Sequence, residues 1–170
     1  MIVGEKKLRE LYPNLDEDQY QPAGIDLKLG KIMKFNTKGE NVYGLVNGQK
    51  YLPKQEELSD SAIKMGAGKL EVGYMLEPHI PYIAVVDKKM KIPKNYLQRY
   101  YPRSSLLRAG VDVRTAIGDP GFNGYLSFLI INHLDVPFFI QKGERFAQMV
   151  LEEVDGVMEG YDGDYNEPTN

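Results

Sequence analysis

The side chains best suited to chemistry on a phosphorylated ligand lie within residues 102–124. Arg103, Ser104 and Ser105 precede an apolar pair, and Arg108 follows it. A helix that starts at these serines leaves its first backbone N–H groups without intrahelical partners, with hydroxyl and guanidinium groups beside them. Because such a helix start favours anions, the segment predicts a phosphate-binding site. A Ser-Ser pair alone is more often only a helix cap, so this signal is weak by itself.

The second feature is the turn sequence DPGFNG at residues 119–124. It carries one carboxylate, Asp119, and one aromatic ring, Phe122, between two apolar runs. Alone, such a sequence is more often a plain hairpin turn. A phosphate cradle, a fixed acid and a ring face are together what a nucleotide hydrolase needs. The two features in combination therefore predict chemistry on a nucleotide.

Length and charge narrow the classes of function. The chain has 170 residues, of which 42% are hydrophobic and 26% charged, so we expect one ordinary globular domain. The net charge of −3 argues against binding to a nucleic-acid backbone. An acidic protein that binds a polyanion must concentrate its positive charge locally or recruit a metal ion.

The absence of cysteine excludes disulfide and thiolate chemistry, and the two histidines, His79 and His133, are too far apart in sequence to suggest a zinc site. The N-terminal residues contain no apolar signal region, and no apolar run approaches the length of a membrane span. We therefore expect a cytoplasmic protein with no membrane partner.

Residue patterns predict a mostly-β chain. A short helix is expected over 4–11, an Asn47-Gly48 hairpin within 42–51, and a polar surface excursion over 53–68. Alternating or continuous apolar runs predict strands at 25–29, 31–35, 70–76, 82–86, 125–132, 137–140 and 144–151, with 125–132 buried. On spacing alone, Asp26 and Gln148 are ordinary polar strand residues.

Four segments resemble the dUTPase and dCTP deaminase superfamily. PRSSLLRAG at 102–110 resembles its phosphate-binding motif, and GDPGFNG at 118–124 its turn with the catalytic aspartate. QPAGIDLKLG at 21–30 resembles the first motif, whose aspartate lies near the phosphate and metal region. KGERFAQMVLEEV at 142–154 resembles the fourth motif, whose glutamine contacts a phosphate oxygen. The resemblance implies a distorted jelly-roll β-barrel that assembles as a homotrimer with active sites at subunit contacts.

The resemblance also separates two chemistries. Deaminases of the superfamily carry a proton-shuttling glutamate in the strand after the aspartate turn, where this chain has Leu129. Leucine cannot transfer a proton, so deamination by the usual route is disfavoured. TAIGDPGF at 115–122 is most similar to archaeal-type dUTPases, which implies hydrolysis of dUTP to dUMP and pyrophosphate. A dCTP deaminase and a non-catalytic nucleotide-binding regulatory trimer remain the alternatives.

The resemblance assigns roles to particular residues. Asp119 would orient and deprotonate the attacking water, Phe122 would stack on the deoxyribose, and main-chain groups of 111–116 would recognise uracil. Mg²⁺ would be held mainly by substrate phosphates, without a direct protein ligand, and through water at Asp26. The residues expected to hold the triphosphate are Arg103, Ser104, Ser105, Arg108 and Gln148.

The chain divides into an expected barrel domain at 1–154 and a glycine-rich, acidic tail at 155–170. Two interpretations of the tail stay open. It is a flexible, disordered segment, or it is a lid that orders over bound ligand. Tyr161 and Tyr165 favour the lid slightly, because aromatic residues are unusual in solvated tails.

Overall fold

The computed structural model describes residues 1–39, 42–66, 68–157 and 159–166. Within these ranges the helical elements are α1 (Glu5–Leu11), a 3-10 turn (Glu17–Gln19) and α2 (Ser104–Arg108). The strands of the same ranges are β1 (Tyr20–Gln21), β2 (Gly24–Asn36), β3 (Gly44–Val46), β4 (Gln49–Tyr51), β5 (Lys54–Glu57), β6 (Ser61–Met65), β7 (Lys69–Leu76), β8 (Pro81–Val86), β9 (Met90–Lys91), β10 (Tyr96–Pro102), β11 (Val111–Arg114), β12 (Asn123–Gly124), β13 (Ser127–Asn132), β14 (Phe138–Gln141) and β15 (Arg145–Glu153).

The main sheet curls into a nearly closed barrel. Its strands follow the order β10-β15-β2-β8-β13-β11, and all neighbours are antiparallel. An isolated bridge between Gln98 of β10 and Gly118, just beyond β11, joins the two ends of this order. The Thr115 hydroxyl donates a 3.1 Å hydrogen bond to the Tyr100 carbonyl at the same seam. The mostly-β, barrel-like fold expected from the sequence is confirmed.

Apolar alternation explains the barrel interior. Ile25, Leu27 and Leu29 of β2 point inward and are essentially inaccessible to solvent, as are Phe146 and Met149 of β15. The helix α1, confirmed at Glu5–Leu11, covers the adjoining part of the core with a fully buried leucine. Side chains of both barrel walls therefore meet in one hydrophobic core.

The expected break between strands 25–29 and 31–35 is wrong, because β2 is continuous. The register with β8 shifts between Leu29 and Lys31, which marks a β-bulge. A side chain at Gly30 would lie 2.7 Å from the Val86 carbonyl oxygen, so glycine is required where β2 bends against β8.

The surface excursion expected over 53–68 is also wrong in part. Residues 54–57 form β5, which pairs with the distal half of β2, and residues 61–65 form β6, which pairs with β7. Most side chains of both strands are exposed, so backbone pairing with a regular neighbour overrides their polar composition. Residue 67 lies outside the described residues.

Two further expectations are settled by the sheet. The Asn47-Gly48 hairpin is confirmed, with β3 and β4 paired and both turn residues at positive φ. The strand expected at 125–132 begins instead at Ser127 and is buried only on alternate residues, which leaves Leu129 half-buried. No helix of the described residues is both long and apolar enough to cross a membrane.

Candidate functional site

Asp119 lies at a cavity of about 570 Å³, a volume within the range of small-ligand sites. Its carboxylate is exposed, and the Phe122 ring is half-buried beside it. The remaining lining residues come from β10, residues 116–118, the segment that leads into β13, and the C-terminal tail. They include Tyr100, Ala116, Ile117, Gly118, Tyr125, Ser127, Tyr161, Asp164, Tyr165 and Asn166.

The aspartate turn is rigidly built. The amide of Phe122 donates to the Asp119 carbonyl at 3.1 Å, and the amide of Gly121 donates to the Ile92 carbonyl at 3.0 Å. Gly121 has a φ of 88°, and a side chain there would lie 2.8 Å from Gly160 Cα. Glycine is therefore needed both for the turn and for the close approach of the tail.

Tyr100 forms part of the cavity floor. Its hydroxyl donates a 2.6 Å hydrogen bond to Oε1 of Gln98, and its ring packs 4.9 Å from the ring of Phe128. Burial raises the pKa of the Tyr100 hydroxyl, and the neighbouring Tyr12 and Asp119 raise it further. The hydroxyl therefore stays neutral, as a fixed hydrogen-bonding group next to the aspartate turn.

The C-terminal tail follows the rim of the same cavity. The Tyr161 amide donates to the Pro120 carbonyl at 2.7 Å, and its ring lies edge-on to Phe122 at 5.7 Å. The Asn123 amide donates to Oδ1 of Asn166 at 2.8 Å. The described part of the tail thus contacts Pro120, Phe122 and Asn123 of the turn. A lid role remains a prediction, and residues 158 and 167–170 lie outside the described ranges.

A second cluster surrounds Asp26, which is only 3% exposed. Its Oδ2 atom lies 3.4 Å from Nε of Arg103 and 3.4 Å from Nη1 of Arg145. Burial raises the pKa of the Asp26 carboxyl, and the two guanidinium groups offset this only in part. Arg103 is further anchored by its amide, which donates to the Phe146 carbonyl at 3.1 Å.

Gln148 joins this cluster from β15, where it lies opposite both Asp26 of β2 and Tyr101 of β10. A side chain at Gly24 would lie 2.5 Å from the Met149 carbonyl oxygen and 3.1 Å from Cγ of Gln148, so the glycine allows β15 to approach closely here. Three of the predicted residues, Asp26, Arg103 and Gln148, are therefore brought together.

The helix expected to start at the two serines is confirmed. α2 begins at Ser104, its N-cap is Arg103, and among the described residues no side chain caps it. Ser104 and Ser105 are exposed at its first two positions, where Ser105 lines a groove of about 300 Å³ with Arg103 and Arg145. Arg108 is exposed in the last turn and does not line this groove.

Arg145 is the site residue that the sequence analysis missed. In a regular strand, residues 145 and 148 would face opposite sides. A register shift between Arg145 and Ala147 places Arg145 opposite Lys28 and Gln148 opposite Asp26, on one face of the sheet. Because alternation does not reveal a bulge, no pattern in the sequence indicated this arrangement.

The two parts of the site are separated within one chain. Gly118, next to Asp119, pairs with Gln98, whereas Arg103 lies five residues farther along the β10 direction. At about 3.3 Å per strand residue, this is a separation of about 16 Å. The cavity at Asp119 and the groove at Arg103 have no lining residue in common.

The described residues contain no group of three or more histidine, cysteine, aspartate or glutamate side chains arranged to hold a metal ion. The Asp26 carboxylate is already approached by two guanidinium groups, which weighs against the water-mediated metal contact predicted there. These side chains fit a metal ion held mainly by ligand phosphates better than one held by a carboxylate cage.

Comparison with known proteins places this geometry in context. A model of the dCTP deaminase-like family matches residues 3–154. The chain is 42% identical to a probable deoxyuridine 5'-triphosphate nucleotidohydrolase of Methanopyrus kandleri, over 97% of this chain and 99% of that one. It is 37% identical to the deoxyuridine 5'-triphosphate nucleotidohydrolase of Methanocaldococcus jannaschii, over 97% and 98% of the two chains.

Deaminases are also similar to this chain. It is 31% identical to a protein of Methanobrevibacter smithii named dCTP deaminase, dUMP-forming, over 89% of this chain and 79% of that one. A solved structure of the 2'-deoxycytidine 5'-triphosphate deaminase from Agrobacterium tumefaciens superposes with a TM-score of 0.63 at 21% identity, covering 88% of this chain and 47% of that one. At this identity the superposition supports the barrel fold alone.

Proposed function

Because the chain belongs to the dCTP deaminase-like family, we propose that it is a dUTP diphosphatase, which hydrolyses dUTP to dUMP and pyrophosphate. The observation that carries this proposal is that Asp119 lines a nucleoside-sized cavity, while strand β13, which comes next in the sequence, contains no carboxylate. The names of the relatives at 37% and 42% identity support the same reaction.

Asp119 is the catalytic residue of this proposal. Its carboxylate orients a water molecule toward the α-phosphorus and accepts a proton from it as the new P–O bond forms. Pyrophosphate leaves from the opposite side of the phosphorus, and dUMP keeps the new oxygen. The Phe122 ring lies against the deoxyribose and leaves no space for a 2'-hydroxyl. Main-chain groups of residues 111–116 recognise uracil.

The cluster around Asp26 supplies the triphosphate site. Asp26 holds the guanidinium groups of Arg103 and Arg145, which face the phosphates with fixed geometry. Mg²⁺, when bound to the phosphate oxygens, neutralises charge in the triphosphate. The side chains that contact phosphates in this proposal are Arg103, Ser104, Ser105, Arg108, Arg145 and Gln148.

Because the two parts of the site are separated in one chain, the proposal includes a homotrimer. We call the phosphate-contacting residues around Arg103 the phosphate cradle. Each active site then combines the phosphate cradle of one subunit with the aspartate turn of its neighbour. The tail contacts at Phe122 support a lid over the nucleoside, and a cytoplasmic location fits a soluble nucleotide substrate.

A dUMP-forming dCTP deaminase is the second candidate, because one relative at 31% identity carries that name. Leu129 disfavours it, since no side chain of β13 can shuttle a proton to the base. The third candidate is a regulatory trimer that binds nucleotide without turnover, and the intact Asp119 turn argues against it.

The test is incubation with each deoxynucleoside triphosphate and Mg²⁺, with pyrophosphate and ammonia measured together. We expect pyrophosphate from dUTP, no ammonia from dCTP, and loss of activity in EDTA.

The Asp119→Asn variant should lower kcat by at least about a hundredfold, because general-base contributions are about 10²–10⁴-fold, while it still binds nucleotide. Ammonia release from dCTP by the wild type, or normal turnover by this variant, would contradict the proposal.

A further inference from the structure

Gln98 lies at the seam where the barrel closes, and its side chain is completely buried. Its main-chain N–H and carbonyl groups exchange hydrogen bonds of 2.9 Å with Gly118, the residue before Asp119. Its Oε1 atom accepts a 2.6 Å hydrogen bond from the Tyr100 hydroxyl on the cavity floor. One residue therefore holds both the backbone that enters the aspartate turn and a hydroxyl group of the cavity.

The other end of the Gln98 amide reaches the N-terminal helix. Its Nε2 atom donates a 2.9 Å hydrogen bond to the hydroxyl of Tyr12, the C-cap residue of α1. Burial raises the pKa of Tyr12 to about 12, so this hydroxyl is neutral. Tyr12 lines a different surface groove and is absent from the lining of the cavity at Asp119.

These bonds occupy both ends of the buried amide. The amide nitrogen donates to Tyr12 and the amide oxygen accepts from Tyr100, so loss of the Tyr12 hydroxyl leaves a buried N–H group without this partner. Gly118 packs directly against the Tyr100 hydroxyl, since a side chain at Gly118 would overlap that hydroxyl. Tyr100 cannot shift toward the seam without moving the backbone that leads to Asp119.

We propose that Gln98 is a positioning residue for the aspartate turn, and that Tyr12 acts on the site only through Gln98. The proposal rests on the proposed dUTP hydrolysis for its kinetic test. It assigns the buried Tyr12–Gln98–Tyr100 hydrogen-bond chain a role in aligning Asp119, in addition to its role in stability. A contact at the end of α1 is thereby coupled to the reacting end of the cavity.

The decisive variant is Tyr12→Phe, which removes one oxygen atom outside the cavity. We expect kcat for dUTP to fall about two- to tenfold, the range of one neutral hydrogen bond, with little change in KM. Amide hydrogen exchange at Gly118 should accelerate by a similar factor, because the bond from Gly118 to the Gln98 carbonyl becomes less well held.

The matched control is Tyr20→Phe. The Tyr20 hydroxyl donates to the main-chain carbonyl of Tyr12, so this variant also removes one tyrosine hydroxyl from the same region without touching the Gln98 amide. It should lower the melting temperature to a similar extent, yet leave kcat and Gly118 exchange unchanged. A fall in kcat that both variants share would mean that general destabilisation explains the effect, and would overturn the proposal.

A double-mutant cycle with Gln98→Met tests the route. If Tyr12 acts only through Gln98, adding Tyr12→Phe to Gln98→Met should not lower kcat further. Additive losses, or unchanged kcat and Gly118 exchange in Tyr12→Phe, would refute the positioning role. Failure of the wild type to hydrolyse dUTP would count against the proposed function alone, because Gly118 exchange still decides the role of Gln98.

Discussion

The carboxylate of Asp26 is buried in β2, where Arg103 and Arg145 converge on it. The two guanidinium groups remain about 30% exposed, so water screens their charge and weakens their attraction for the carboxylate. This explains why burial dominates and the pKa of Asp26 is raised. The arrangement suits ligand binding better than stability, because both arginines stay able to meet phosphate.

This pKa predicts a pH dependence. A folded-state pKa above the ordinary value of 3.8 means that the folded protein binds this proton more tightly than the unfolded chain does. The stability that this proton contributes is fully present below the ordinary pKa of 3.8 and is lost as the pH rises through the raised, folded-state pKa. Asp26→Asn, which cannot ionise, should therefore lose less free energy of unfolding over this range. Urea unfolding of both proteins at a series of pH values measures the difference, and parallel curves would contradict it.

Leu129 gives a second prediction at the residue scale. It is half-buried in β13 and pairs with Arg114 on one side and Ile83 on the other. The sequence predicted a buried strand here, in which a glutamate would lie among apolar side chains. In the structure it would instead stand opposite an exposed arginine, whose side chain is 70% accessible.

We therefore expect Leu129→Glu to fold with a melting temperature within about 4 °C of the wild type, the shift that corresponds to about 1 kcal/mol in a domain of this size. It should release no ammonia from dCTP, because residue 129 does not line the cavity at Asp119. Calorimetry measures the melting temperature and an ammonia assay measures deamination. Efficient deamination of dCTP by the variant would contradict the prediction.

At the scale of elements, local patterns predicted those strands whose two faces differ. Ile25, Leu27 and Leu29 alternate with polar residues because one face of β2 forms the barrel interior. The Asn47-Gly48 turn was predictable because few residues adopt positive φ at both positions of a tight hairpin. The aspartate turn was found in the same way, from its proline and glycine.

The remaining elements depend on partners distant in sequence. Strands β5 and β6 carry mostly exposed side chains and are defined by pairing with β2 and β7. The bulge after Arg145, which creates half of the arginine pair, is likewise a property of two strands together. A sequence pattern reports which face of a segment is buried, and it does not report register.

The β3–β4 hairpin and the tail provide a prediction at this scale. Lys50 of β4 lies 2.9 Å from Oδ2 of Asp164 and 5.3 Å from the Tyr165 ring centre. Lys50→Glu should release the tail from the cavity, because it replaces attraction by repulsion, whereas Lys50→Arg should preserve the contact. Exposed pairs contribute at most about 1 kcal/mol, so we expect cleavage of the tail to accelerate by about fivefold or less.

Limited proteolysis with mass spectrometry measures the rate of tail cleavage in all three proteins. A lid role adds that KM for dUTP should rise in Lys50→Glu and stay normal in Lys50→Arg. Equal cleavage rates in the two variants would mean that Lys50 does not hold the tail.

At the scale of the whole molecule, the aspartate turn and the phosphate cradle at Arg103 are separated by the part of β10 that follows Gln98. Apolar side chains remain exposed near both parts, among them Tyr101 and Leu107 beside the cradle and Ile117 beside the aspartate turn. In the proposed trimer, a second subunit covers these surfaces and brings its phosphate cradle to the aspartate turn. Neither the separation nor the exposed surface could be predicted from the sequence, because each follows from the closure of the barrel.

Mixing two inactive variants tests the shared site directly. Arg103→Ala disables the cradle and Asp119→Asn disables the turn, so each variant alone should be inactive. If the proteins are unfolded, mixed in equal amounts and refolded, a shared site is intact when an Asp119→Asn chain supplies its cradle and an Arg103→Ala chain supplies its turn. Random assembly of cyclic trimers leaves about one quarter of the sites intact, so activity should return toward that fraction of the wild-type value. If each site belongs to one chain, every site carries a defect and the mixture stays inactive. Native mass spectrometry confirms that mixed trimers have formed, and their inactivity would rule out the shared site.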